Sequence, residues 1–136
     1  MIRALLICLL TCCACVSRAQ VHFEHDFRDS TLRIDYVFAG TDSTQRIAVD
    51  ELKSFAGWAG RRVNLDRAPL KGNGEIVMCD AQDGHVMYKH SFSTLFQEWQ
   101  SSEEATRVPR SFENVFLLPF PRRNVLVTVS LFDNKG

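Results

Sequence analysis

Cysteines are scarce beyond the first segment of the sequence, and this limits how the fold can be held together. Of the five cysteines, only Cys79 lies beyond residue 19. If residues 1–19 are removed, no intrachain disulfide can form. The rest of the chain must then depend on its hydrophobic core, and Cys79, beside the apolar residues 76–78, is expected to be a small core residue.

Net charge is absent as well. The chain has 136 residues with 16 basic and 16 acidic side chains, so its formal net charge is zero. Nothing in this balance favours electrostatic capture of nucleic acid or of a membrane surface. The length suffices for one compact domain with a single core.

Complete catalytic motifs are also missing. The sequence has no serine nucleophile elbow and no phosphate-binding loop, because the glycine pair in residues 72–74 is too short and lacks a following lysine. The His-Glu-x-x-His string, which sets two imidazoles and a glutamate base on one helix face, is absent. We therefore predict a chain with no catalytic site, no metal and no cofactor of its own.

Two groups of histidines are weak metal candidates. His22, His25 and Asp26 lie near the start of the chain, in a segment that we expect to be an exposed, solvated arm. His85 and His90 fall on one predicted strand, and their odd separation places them on opposite faces. Neither group is predicted to bind a metal ion.

Residues 1–19 are typical of a signal peptide. Arg3 gives a short positive start, residues 4–16 carry no charge, and Ser17 and Ala19 are small residues at the positions that a signal peptidase reads. Cleavage would leave Gln20 as the first mature residue, and the apolar run is too short to form a stable membrane span. An alternative is a lipoprotein signal that uses one of the cysteines of this run. The chain is therefore expected to be exported, to the periplasm, the outer surface or the medium, and the lack of disulfides favours a bacterial origin.

The rest of the sequence predicts a mainly β fold, an antiparallel β-sandwich with one or two short helices inserted. Apolar and polar residues alternate over residues 31–40, with Leu32, Ile34, Tyr36 and Phe38 on one face. Turn residues separate this strand from further short ones. The further strands are predicted around Ile47 and Val49 and at residues 75–80, 85–91, 112–118 and 124–132.

Helical patterns interrupt the strands in the second half. Residues 94–99 and 101–108 are predicted to be helical, with Ser101 and Glu104 at capping-box spacing. The prolines at 119 and 121 are expected to form a rigid crossing between two strands. Residues 133–136 have turn composition, so we expect a returning strand to be missing and domain 20–136 to be incomplete at its C-terminus.

Several side chains are candidates for a ligand site or a domain interface. An exposed Trp99 with polar neighbours is typical of a sugar or peptide site, and the loop around Trp58 offers another. The alternative is that Phe96 and Trp99, at helical spacing, pack into the core beside the strand that contains Tyr36. The candidate ligand or interface residues are Trp58, Arg61, Arg62, Glu98, Trp99 and Arg110.

Several ordered strings resemble the N-terminal domain of the IgA-peptidase family, the exported zinc metallopeptidases of metallopeptidase family sixty-four in Gram-negative gut-type bacteria. The resemblance covers about residues 23–136. It is carried by residues 27–36 (FRDSTLRIDY), 58–65 (WAGRRVNL), 92–99 (FSTLFQEW), 110–113 (RSFE) and 119–121 (PFP).

The resemblance implies a β-sandwich N-domain followed by a larger catalytic domain that holds the zinc helix. Because this sequence lacks the zinc-binding string, no zinc ligand or catalytic glutamate can be carried over to it. The chain is then expected to be a non-catalytic accessory domain, truncated before the catalytic domain that is its partner. The alternative is a stand-alone exported β-sandwich module that binds a glycan or a peptide, so that its partner is a glycan or protein ligand.

Overall fold

The computed structural model describes residues 20–132 of the chain. The predicted signal peptide and the predicted turn at residues 133–136 lie outside the described residues. The elements in chain order are α1 (Phe23–Asp26), β1 (Phe27–Gly40), β2 (Gln45–Ala56), β3 (Gly74–Asp80), β4 (Val86–Phe92), α2 (Leu95–Gln100), a 3₁₀ helix (Glu104–Thr106), β5 (Arg110–Pro121) and β6 (Val125–Leu131).

The strands form two three-stranded antiparallel sheets, in the orders β2-β1-β5 and β4-β3-β6. The mainly β fold with two short helices that the sequence predicts is thereby confirmed. Among the described residues, no helix has the length and apolar character that crossing a membrane requires.

The core lies between the inner faces of the two sheets. In β1, Ile34, Tyr36 and Phe38 are buried, as the alternation predicts, and Tyr36 stacks on Phe116 of β5 with ring centroids 4.1 Å apart. The second sheet contributes buried residues of β3, and Val125, Val127, Val129 and Leu131 of β6 pack against them. The alternation of residues 31–40 thus predicted the buried face of β1 correctly.

Helix α2 closes one end of the sandwich. The Thr94 hydroxyl caps the helix by accepting a hydrogen bond from the Gln97 backbone N–H. The Phe96 ring is fully buried and stacks on Phe38 at 5.8 Å, whereas Trp99 is half-buried and packs on Phe112 at 5.6 Å. Both aromatic residues therefore face the core, but part of the Trp99 side chain remains exposed.

The second predicted helix is shorter than expected and begins differently. Residues 101–108 contain only the 3₁₀ helix Glu104–Thr106, and no side chain caps its start. The Ser101 hydroxyl donates to the Glu98 carbonyl at 2.6 Å. It therefore provides a hydrogen bond for a carbonyl at the C-terminal end of α2 and does not form the predicted capping box.

The predicted proline crossing was wrong. Residues 119–121 lie inside β5, where Pro119 pairs with Thr31 and Pro121 pairs with Phe27. An edge strand tolerates prolines because one side of its backbone has no ladder partner, and β1 bulges opposite them, between Arg28 and Thr31. The connection between β5 and β6 is formed by residues 122–124 instead.

Two further expectations were wrong. The segment expected to be a solvated arm forms α1, in which Phe23 and Asp26 are buried. Cys79 lies on the outer face of β3 and is half-exposed, because the buried positions of that strand alternate through Ile76 and Met78. The apolar neighbours of Cys79 hid the period of two, which sets its side chain on the other face.

Candidate functional site

The six candidate side chains fall into two separate groups. Trp58, Arg61 and Arg62 belong to the loop that follows β2, whose cavity reaches Thr31 of β1. The other three lie in α2 and at the start of β5, which is paired to the Gly40 end of β1. Because Thr31 and Phe38 are ~23 Å apart along an extended strand, the two groups cannot form one site.

The Trp58 loop folds tightly around its own indole ring. The Trp58 Nε1 donates to the Arg61 carbonyl at 3.0 Å, and the Trp58 backbone N–H donates to Asp29 Oδ1 at 3.0 Å. A Cβ atom on Gly60 would lie 2.2 Å from the indole ring. Only glycine therefore fits beside Trp58 without moving the ring or the loop.

Arg61 fastens this loop to the second sheet. Its Nη1 donates to the Asn64 carbonyl, its Nη2 donates to the carbonyls of Leu65 and Lys89, and its guanidinium lies 4.9 Å from the centre of the Tyr88 ring. Its Nε is buried without a hydrogen-bond partner. Within residues 20–132, no carboxylate forms a salt bridge with Arg61, so its positive charge is not neutralised locally.

Arg62 has a different role, because it joins the loop to the N-terminal helix. Its Nη1 lies 3.3 Å from Glu24, its Nη2 lies 2.6 Å from Asp29, and its guanidinium covers the Phe23 ring at 4.3 Å. The hydrogen bond from the Trp58 backbone and that from Arg62 hold the pKa of Asp29 below its ordinary value. Arg62 thus holds the loop against the N-terminal helix.

A cavity of about 410 Å³ opens beside the Trp58 loop. It is lined by Thr31, Trp58, Ala59, Gly60, Arg61, Pro69, Tyr88, His90 and Leu117. A second cavity of about 210 Å³ shares His90 and Leu117 with the first and continues past Phe92 and Phe116. Burial and the nearby charge of Arg61 lower the pKa of His90, so its imidazole is neutral at pH 7.

The sequence did not single out Tyr88 or Leu117 as lining residues, and it linked His90 only to His85. Tyr88 and His90 share the core-facing side of β4 with their partners Met78 and Ile76. The period of two in residues 86–92 predicts which side chains share that face of β4. The sequence does not show that this face lies beside the Trp58 loop.

The second candidate group is organised by a carboxylate that the sequence analysis did not select. Trp99 Nε1 donates to Glu104 Oε2 at 2.9 Å, and Arg110 Nη2 lies 2.7 Å from Glu104 Oε1. The Glu98 side chain is exposed and takes no part in these contacts. Because the Trp99 N–H and the Arg110 charge both already have a partner, this group is better suited to holding the 3₁₀ helix in place.

A hairpin end brings together three further side chains with metal-binding groups. One ligand atom each from Asp80, Asp83 and His85 lies within 4.8 Å of the others. Arg123 already supplies a positive charge here, since its Nη1 bonds Asp80 Oδ2 at 3.2 Å. The only sequence signal for this cluster is three residues of metal-binding type at short spacing. The Asp83–Gly84 turn brings their side chains together.

Strand β2 is longer than predicted and carries an uncovered apolar face. Its Ile47, Val49 and Leu52 pair with Phe38, Tyr36 and Ile34 of β1 and so point to the core side of the sheet. Their exposed fractions are 41%, 63% and 62%, whereas those of their β1 partners are 0%, 2% and 8%. The second sheet therefore covers β1 but does not reach β2. We call Ile47, Val49 and Leu52 the β2 apolar face.

Comparison with protein families adds one finding. The family model described as Peptidase M64 N-terminus matches residues 22–136 of the chain. This match confirms the resemblance that the sequence strings carry, over nearly the whole chain. The match is to an N-terminal domain, and no family of catalytic domains is detected. No curated protein matches the sequence.

Proposed function

Because the chain belongs to the Peptidase M64 N-terminus family, we propose that it is a non-catalytic accessory domain that docks on the zinc domain of such a peptidase. Its role there is to stabilise and orient the zinc domain, while hydrolysis takes place on that domain alone.

The observation that carries this proposal is the β2 apolar face. Three large aliphatic side chains continue the core surface of the first sheet past the end of the second sheet. Contiguous apolar surface of this kind is typical of protein–protein interfaces, because water contact with it costs free energy. In a peptidase where this domain precedes the zinc domain in one chain, the zinc domain is close enough to cover this surface.

The edge of β2 favours a side-chain interface over strand addition. An extra residue, Asp50, bulges between Val49 and Glu51, and Arg46 and Lys53 add charges along the strand. Bulges and charges on an edge strand oppose pairing with another strand. We therefore propose that the zinc domain packs on the β2 apolar face with its own apolar side chains.

A matched pair of leucines tests the docking surface. Leu52 and Leu126 are 62% and 64% exposed, both on edge strands, but only Leu52 belongs to the β2 apolar face. We expect Leu52→Lys to weaken association of the purified chain with the zinc domain of a Peptidase M64 enzyme by about 30-fold, roughly 2 kcal/mol. Isothermal titration calorimetry measures this effect.

The control is Leu126→Lys, which should bind within about threefold of the parent. Equal losses for the two variants, or tight binding by both, would show that the β2 apolar face is not the interface. Matching melting temperatures of the free variants would confirm that neither change acts by unfolding the domain.

We also propose that the chain is exported from a Gram-negative bacterium through the signal peptide at residues 1–19. The support is the pattern of that segment and the single cysteine beyond it. N-terminal sequencing of exported protein should give Gln20 as the first residue. A lipid-modified cysteine at that end would replace this proposal with the lipoprotein alternative.

A further inference from the structure

The cavity beside Trp58 takes no part in the proposed docking, since β2 contributes none of its lining. It opens between two edge strands, β4 of one sheet and β5 of the other, and the adjoining cavity extends it along them. Its volume of about 410 Å³ is within the range of small-ligand sites.

We propose that this cavity binds a peptide segment that carries a carboxylate next to an apolar side chain. The site is separate from the β2 apolar face, so it is a second binding function and does not depend on docking.

The positive charge of Arg61 is the first reason for a carboxylate. Its guanidinium is held by backbone carbonyls and by the Tyr88 ring, and it forms no salt bridge within the described part of the chain. A cation fixed in an apolar, partly dry setting attracts an anion more strongly than one in water does. The donors already in use also keep the charge in place before a ligand arrives, which reduces the entropy lost on binding.

The buried Nε of Arg61 is the second reason. A buried N–H without a partner is uncommon in folded proteins and costs free energy. Arg61 also lines the cavity, so a carboxylate bound there would give this N–H an acceptor while the carbonyl contacts of the two Nη atoms keep the guanidinium in place. The neutral imidazole of His90, at the boundary of the two cavities, offers a further donor or acceptor without adding charge.

The rest of the lining suits an apolar side chain. Trp58, Tyr88 and Leu117 are among the residues that line the first cavity, and Phe92 and Phe116 are among those that line the second. The two cavities in line fit an extended peptide better than a compact ligand. Hydrophobic lining with few polar groups is the usual composition of ligand pockets.

The same geometry argues against a glycan. Sugars bind aromatic side chains by lying flat on an exposed ring face. Trp58 and Tyr88 are only 9% and 4% exposed, and Gly60 covers part of the indole ring. Without an open ring face, the cavity lacks the platform that a sugar ring needs.

Two probes that differ only in charge test the proposal. The first is N-acetyl-leucyl-phenylalanine with a free carboxylate, and the second is its C-terminal amide. Titration of the purified, ¹⁵N-labelled chain should shift the indole N–H signal of Trp58 with the acid, and binding of the amide should be at least about tenfold weaker. Equal binding of both, or no shift with the acid, would overturn the proposal.

Leu117 provides the matched variants. It is 54% exposed and lines both cavities, and it belongs to β5 and not to the loop that carries Arg61. Leu117→Glu should weaken binding of the acid probe by about tenfold more than the similar-sized Leu117→Gln does, because both variants remove the aliphatic group and only Glu adds charge repulsion. Equal loss in both variants would contradict a charge-based site, and binding to a glycan array without binding to the acid would favour the glycan alternative.

Discussion

At the scale of single residues, Arg123 joins two buried carboxylates that lie in different elements. Its Nη2 lies 2.6 Å from Asp26 Oδ1 and its Nη1 lies 3.2 Å from Asp80 Oδ2, and both carboxylates are buried. Through these contacts Arg123 ties helix α1 to the second sheet. Asp26 also accepts the backbone N–H of His22 at 2.9 Å, which fixes the start of α1.

Removing Arg123 should therefore destabilise the domain strongly. Arg123→Met leaves two buried carboxylates without their cation, and we expect a loss of about 3 kcal/mol in the free energy of unfolding. The control is Arg107→Met, which breaks an exposed pair with Glu103 and should cost no more than about 0.5 kcal/mol. Urea denaturation of both variants measures the difference, and similar losses would refute the structural role of Arg123.

The same network predicts a pH effect. Burial alone would raise the pKa of Asp26, but hydrogen bonds from His25 and His22 and the charge of Arg123 outweigh it and hold the pKa below 3.8. Because the folded-state pKa is the lower one, Asp26 contributes stability above about pH 4, and this contribution is lost as the pH falls through the folded pKa.

Melting temperatures of the parent and of Asp26→Asn between about pH 7 and pH 2 test this effect. The difference between the two proteins should be largest near neutral pH and should shrink below about pH 4. A difference that stays constant over this range would mean that the charge of Asp26 does not contribute to folding.

At the scale of elements, the sequence predicted buried faces better than it predicted boundaries. The alternation in β1 selected the correct inward side chains, because one buried face is enough to set the period of two. Strand β2 was seen only at Ile47 and Val49, because the bulge at Asp50 shifts the period before Leu52. The prolines of β5 predict a crossing between strands, because composition does not show that a strand lies at the edge of a sheet.

Helix α2 gives a prediction at this scale. Phe96 is fully buried between Phe38 and Phe112, whereas Trp99 is half-buried and hydrogen-bonds at its edge. Phe96→Ala should cost about 3–5 kcal/mol of unfolding free energy, and Trp99→Ala should cost less, about 2 kcal/mol. Thermal denaturation ranks the two variants. A larger loss of stability for Trp99→Ala would show that the indole of Trp99, and not the Phe96 ring, holds α2 against the sandwich.

At the scale of the whole molecule, the sequence predicts neither the cavity beside Trp58 nor the β2 apolar face. Trp58, Arg61 and Arg62 were selected by residue type, but the cavity beside them depends on β4 and β5, which are distant in sequence. The β2 apolar face could not be predicted, because apolar residues on a strand give no sign of whether a second sheet reaches them. Both surfaces are products of the tertiary arrangement.

Amide hydrogen exchange shows whether β2 is the docking surface for a peptidase zinc domain, because amides that a partner covers exchange more slowly. Exchange of the purified chain is measured by mass spectrometry alone and with the zinc domain of a Peptidase M64 enzyme. We predict slower exchange across Gln45–Ala56 in the complex and unchanged exchange across Val125–Leu131. If the complex forms while the β2 amides exchange at the free rate, the account is contradicted.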